Sequence, residues 1–82
     1  MSYKILILED NTLLLNTLED FLSEKGFTCT PVSSGKEALK KCYEEKFDLY
    51  LLDVKVPDLN GFDFLKELRE SNDRTPAIFV TS

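Results

Sequence analysis

The strongest constraint in this 82-residue sequence is its alternation of two hydrophobic periods. Ile5-Leu6-Ile7-Leu8 is an unbroken aliphatic run, the pattern of a strand buried on both faces. Directly after it, Leu14, Leu15, Leu18, Phe21 and Leu22 recur at helical spacing, with Asn16, Glu19, Asp20 and Glu24 on the other face. Asp10 and Asn11 supply an N-cap for this helix, and Lys25-Gly26 a stop with glycine past the last turn.

The pattern then repeats. Phe27 to Val32 alternates Phe27 and Cys29 with Thr28 and Thr30, and Pro31 cannot donate to a ladder, so this strand belongs at a sheet edge. Ser34-Gly35-Lys36-Glu37 is a capping-box sequence opening a second helix, with Ala38, Leu39, Cys42 and Tyr43 expected inward. Phe47 to Leu52 is a third strand, central by its apolar continuity, and runs directly into Asp53. A loop rich in turn residues, Val54 to Gly61, leads to a third helix. That helix carries Phe62, Leu65 and Leu68 on one face, with Phe64 beside it. Ser71 to Pro76 breaks it, and Ala77-Ile78-Phe79-Val80 is a fourth strand before Thr81-Ser82. The order βαβαβαβ predicts one α/β domain with a parallel sheet and right-handed crossovers.

Composition removes several function classes. Ten basic against fifteen acidic residues leave a net charge of −5, which does not attract a phosphate backbone, so no nucleic-acid partner is expected for this segment. No apolar run approaches the ~20 residues of a membrane span, and the first residues lack a signal-peptide layout. A cytoplasmic location is expected. Cys29 and Cys42 are too few for a disulfide framework or, with no histidine and no third cysteine, for a zinc site. The lack of histidine also excludes histidine-based catalysis on this chain.

In an open parallel sheet, ligands sit beyond the carboxyl ends of the strands. Here the first strand ends in Glu9-Asp10, the third in Asp53 and the fourth in Thr81. If the first and third strands are neighbours, three carboxylates converge in one cleft. Two like charges ~4 Å apart repel by about 4 kcal/mol at an effective dielectric near 20. Either one carboxyl then holds a proton or a hard divalent cation binds. Oxygen-only ligands select Mg2+, Mn2+ or Ca2+ rather than zinc, and few carboxylates leave room for water and a phosphate-bearing ligand, which suits Mg2+. A carboxylate beside such an ion can attack phosphorus, and Asp53 is the best placed to do so. Taken singly, Glu9-Asp10-Asn11 reads as a helix cap, Asp53 and Lys55 as loop residues and Thr81 as a strand residue; their joint position is what carries the reading.

These residues resemble the receiver domain of two-component response regulators, from Lys4 to Thr81. The matching pieces are Ile5 to Asn11, Ser34 to Leu39, Phe47 to Asp53, Pro57, Asn60-Gly61-Phe62 and Pro76 to Thr81. The resemblance implies a flavodoxin-like sheet with strand order 2-1-3-4. It implies that Asp53 accepts a phosphoryl group, that Glu9, Asp10 and Asp53 hold Mg2+ (Mn2+ being possible) and that the Lys55 backbone carbonyl completes the metal site. Thr81 falls on the hydroxyl residue that turns toward the phosphoryl group, and Pro57 and Gly61 on positions that shape the loop. The donor would be a phosphohistidine on a sensor kinase or phosphotransfer protein.

The family fold continues through a fourth helix, a fifth strand with a lysine at its end, and a fifth helix. Residues 1–82 are therefore expected to be an incomplete receiver, with an exposed fourth strand that favours homo-oligomers and with impaired phosphorylation. The other reading is a receiver-like docking module that is not phosphorylated. An aspartate-nucleophile phosphohydrolase of the haloacid-dehalogenase type would need a second acid where Lys55 stands, and no P-loop sequence occurs.

Overall fold

The computed structural model of the protein describes residues 3–56 and 58–80. The elements are β1 (Lys4–Leu8), α1 (Thr12–Glu24), β2 (Thr28–Val32), α2 (Gly35–Glu44), β3 (Leu49–Asp53), α3 (Gly61–Glu70) and β4 (Ala77–Val80). The four strands are parallel in the order β2-β1-β3-β4. Fold class and strand order are those expected from the sequence. Pro31 lies on the edge strand β2, opposite Ile7, where its missing donor breaks no interior ladder.

Strand β1 explains the two layers. Ile5, Leu6, Ile7 and Leu8 are all at most 2% exposed, so both faces of the central strand are covered. The period-2 pleat sends Ile5 and Ile7 toward Leu15, Leu18 and Leu22 of α1. It sends Leu6 and Leu8 to the other face, into the main core with Val32, Ala38, Tyr50, Leu52, Phe64 and Leu68.

The helix ends use local chemistry. The Asn11 side chain accepts from the Leu14 amide at 3.0 Å. At the far end of α1, the Gly26 amide donates to the Ser23 carbonyl and the Phe27 amide to the Leu22 carbonyl, the paired bonds of a Schellman cap. Ser34 Oγ accepts from the Glu37 amide at 3.1 Å, while Glu37 reaches back to the Ser33 amide, one residue earlier than a regular capping box.

Three helix faces differ from the sequence expectation. Phe21 of α1 and Tyr43 of α2 are exposed rather than inward. In α3 the buried pair is Phe64 and Leu68, and Phe62 is exposed, lying against Phe79 with ring centroids 4.6 Å apart. Phe64 and Leu68 are four residues apart, one helical turn, so they share a face, whereas Phe62 is two residues from Phe64 and points away from it.

On the α1 side of the sheet, Ile5, Leu49, Leu51 and Ile78 line an open apolar groove with Leu22 and Phe27. Ile78 is 53% exposed there, and among the described residues β4 pairs only with β3.

Candidate metal centre

The register of β1 and β3 builds the site. Leu8 lies opposite Leu52, so Glu9, which follows Leu8, meets Asp53, which follows Leu52. The Glu9 amide donates to the Val32 carbonyl at 3.1 Å, which continues the sheet pattern one residue past β1 and fixes the Glu9 backbone. Asn11, not Asp10, caps α1, so the Asp10 carboxylate is released from the helix end. As a result one oxygen each from Glu9, Asp10 and Asp53 lie within 4.8 Å of one another.

Glu9 and Asp53 are 2% and 3% exposed, while Asp10 faces solvent. Among the described residues, no lysine or arginine is ion-paired with any of the three. What each buried carboxylate does have is one backbone donor. The Asn11 amide donates to Glu9 Oε2 and the Lys55 amide to Asp53 Oδ1, each at 3.1 Å. Burial is the main cause that raises the Glu9 pKa above its ordinary 4.5; the Asn11 amide opposes it, and the Asp53 and Asp10 carboxyls add to it. Without a cation, then, burial and the neighbouring carboxyls disfavour the charged form of Glu9.

The donor set fits a hard divalent ion. It consists of oxygens only, and oxygens within 4.8 Å of one another can all reach one ion at ~2.0–2.6 Å. An ion there would offset both the burial penalty on the charged Glu9 carboxylate and the smaller repulsion from its neighbours. The spacing also leaves open sides for water or a phosphoryl oxygen.

Gly61 keeps the site narrow. A Cβ at this position would stand 2.6 Å from the Asp53 carbonyl oxygen and 3.1 Å from the Phe79 ring. Only glycine lets the start of α3 press on the end of β3 so closely. Asn60 accepts from the Asp63 amide and fixes the same helix start.

Of the residues singled out in the sequence, Glu9, Asp10 and Asp53 come together, and Lys55 touches Asp53 through its amide. Thr81 and Pro57 lie outside the described residues, although Asp53 stands opposite Val80, the residue before Thr81. Sequence reasoning gave Asp58 only a turn role. Its carboxylate instead accepts from the Gly35 and Lys36 amides at the start of α2, 2.8 and 3.0 Å away. Those amides are more than twenty positions distant, so no local pattern could reveal the bond.

Comparison with known proteins agrees with this geometry. The family model described as "Response regulator receiver domain" matches residues 5–82. Over 82 residues the chain is 38% identical to the regulatory protein VanRB of Enterococcus faecalis. It is 37% identical over the same length to the alkaline phosphatase synthesis transcriptional regulatory protein PhoP of Bacillus subtilis. Both alignments cover the whole chain, which spans 37% and 34% of those relatives' length. The receiver domain of the Francisella response regulator 1452 superposes with a TM-score of 0.94 at 30% identity, covering 98% of this chain and 66% of that one. The Thermotoga maritima response regulator TrrA, solved in complex with Mg2+ and BeF, superposes with a TM-score of 0.91 at 30% identity, covering 99% of this chain and 70% of that one.

Proposed function

The chain belongs to the response-regulator receiver family, and from that premise we propose that Asp53 takes a phosphoryl group from a phosphohistidine, with Mg2+ held by Glu9, Asp10 and Asp53. The observation that carries this reading is the convergence of the three carboxylates within 4.8 Å, two of them buried and, among the described residues, without an ion-paired lysine or arginine. The protein is a phosphoacceptor switch rather than an enzyme turning over a free metabolite.

Each residue has a physical task. Asp53 Oδ1 is held by the Lys55 amide, which leaves the second oxygen to attack phosphorus in line. The new O–P bond forms as the P–N bond to histidine breaks, and the electron pair of that bond departs with the imidazole. A bound divalent ion would offset the negative charge on the phosphoryl oxygens during this displacement. Glu9 and Asp10 would hold that ion with Asp53, and the Lys55 backbone carbonyl would add a further ligand. Thr81 would supply a hydroxyl to the phosphoryl group. The partner is a sensor kinase or phosphotransfer protein, in the cytoplasm; among the described residues no helix is long and apolar enough to cross a membrane.

Incubation with a small phosphodonor and Mg2+ should add one acid-stable, alkali-labile phosphoryl group at Asp53, and only with the metal. Labelling that maps to another residue, or that survives chelation, contradicts the assignment.

Residues 1–82 should self-associate through β4. Ile78 is exposed beside an apolar groove, and among the described residues β4 pairs only with β3, which leaves its outer edge to a second copy. Sedimentation should show a dimer or larger that Ile78→Lys weakens; a monomer at every concentration refutes it.

A further inference from the structure

The geometry points to Asp58 as a positioning residue for the metal centre, acting as a clasp between the segment after β3 and the start of α2. This inference rests on the function proposed above and assigns the segment's register to a group outside the carboxylate cluster.

Four observations place the clasp. Asp58 Oδ1 accepts from the Gly35 amide at 2.8 Å and Oδ2 from the Lys36 amide at 3.0 Å, so both carboxylate oxygens are committed to one helix end. Those are the first two amides of α2, which no i−4 carbonyl can satisfy. The third, Glu37, is satisfied inside the helix's own sequence by Ser34. Next to Asp58, Leu59 is pressed onto Gly35 so closely that a Cβ there would lie 2.4 Å from both the Leu59 Cβ and the Leu59 carbonyl oxygen.

The segment is therefore held on both sides of Val56, which is itself buried in the main core. Upstream, the Lys55 amide donates to Asp53; downstream, Asp58 and Leu59 are held on α2. Lys55 itself is exposed, so no packing of its side chain fixes its peptide. Only two residues separate Lys55 from Asp58, and a shift at the clasp reaches the Lys55 peptide across that short span. Negative charge at a helix N-terminus is favourable, and two charge-assisted bonds make this contact stronger than a neutral turn.

Ser34 provides the discriminating control, because its side-chain bond goes to the Glu37 amide of the same helix and not to the segment after β3. Mg2+ binding to the full 82-residue chain should be measured by calorimetry for the unchanged protein, Asp58→Ala, Asp58→Asn and Ser34→Ala. Asp58→Ala is expected to raise Kd about tenfold, in the range seen when a group that orients metal ligands is lost. Asp58→Asn keeps one acceptor oxygen and should fall between. Ser34→Ala should lower the melting temperature yet leave Kd unchanged. In the metal-free state, the Lys55 amide resonance should shift in Asp58→Ala and stay in place in Ser34→Ala. An unchanged Kd in Asp58→Ala, or an equal rise in Ser34→Ala, overturns the positioning role alone. Absence of Mg2+ binding in the unchanged protein removes the underlying reading and this role with it.

Discussion

Asp53→Asn is expected to abolish phosphoryl labelling and, in the absence of metal, to raise the melting temperature. The substitution keeps an acceptor oxygen for the Lys55 amide and nearly the same shape. It removes one of two buried negative charges whose oxygens lie within 4.8 Å. Their repulsion at that distance is about 3 kcal/mol at an effective dielectric near 20. Only part of that repulsion is recovered, so a gain of about 1 kcal/mol is expected, or roughly 4–8 °C for a domain of this size. With Mg2+ at a hundredfold excess over Kd, the unchanged protein gains about 2.7 kcal/mol and the variant gains little. The order of melting temperatures should therefore invert when the metal is added. Equal metal-induced shifts in both proteins would rule out Asp53 as a ligand.

The same cluster sets an unusual pH dependence in the metal-free protein. The Glu9 pKa is raised in the fold, chiefly by burial, so its charged form is disfavoured there relative to the unfolded chain. Above the folded pKa both states carry the charge, and the fold bears the full penalty. As pH falls through that pKa toward 4.5 the penalty disappears, and stability rises. Asp58 and Asp73 act in the opposite sense. Backbone amides from Gly35 and Lys36 hold the Asp58 pKa below 3.8. The Asp73 pKa is also below 3.8; burial pushes it up, but bonds from the Tyr50 hydroxyl and the Thr75 amide outweigh that. The stability these two contribute is present above 3.8 and lost as pH falls below it. The three groups together favour the fold most between 3.8 and 4.5. Thermal melts without metal should show stability rising from neutral pH toward that window, and the rise should shrink in Asp53→Asn.

Phe64→Ala is expected to cost about 3–5 kcal/mol, the range for a fully buried phenylalanine. Phe64 is 0% exposed and meets the Tyr50 ring edge-on at 5.6 Å, between α3 and the sheet. At roughly 0.05–0.15 kcal/mol per residue, 82 residues support about 4–12 kcal/mol in all. The variant should thus unfold at a much lower urea midpoint, or be unfolded in buffer. Phe62→Ala, two residues away, should cost only about 1 kcal/mol, because Phe62 is 58% exposed and its loss removes mainly the ring contact with Phe79. Comparable midpoints for the two variants would contradict this division of α3 into a buried and an open face.

That pair of phenylalanines also marks the limit of reading the chain as text. Gly61-Phe62-Asp63-Phe64-Leu65 offers three apolar residues within four positions, and a helical period alone allows more than one stripe through them. In the fold Phe64 and Leu68 share the buried face with Gly61, which lies close to the Asp53 carbonyl. Tyr43 and Phe21 were misplaced for a similar reason: each helix had more apolar residues than its buried face could hold. The candidate site, by contrast, was legible, since Glu9 and Asp10 follow β1 directly, Asp53 closes β3, and strand ends are easily located.

The sequence by itself determined the order of strands and helices, the edge position of the proline-bearing strand, the helix caps and the carboxylates that close the strands. All of these depend on neighbours within a few residues, where sterics, hydrogen bonding and period act locally. Only the tertiary structure decided the pairing of β1 with β3 that brings Glu9 to Asp53, the face each helix buries, and the bond from Asp58 to α2. Those depend on contacts between residues twenty or more positions apart, and no short-range preference encodes which distant surfaces fit together.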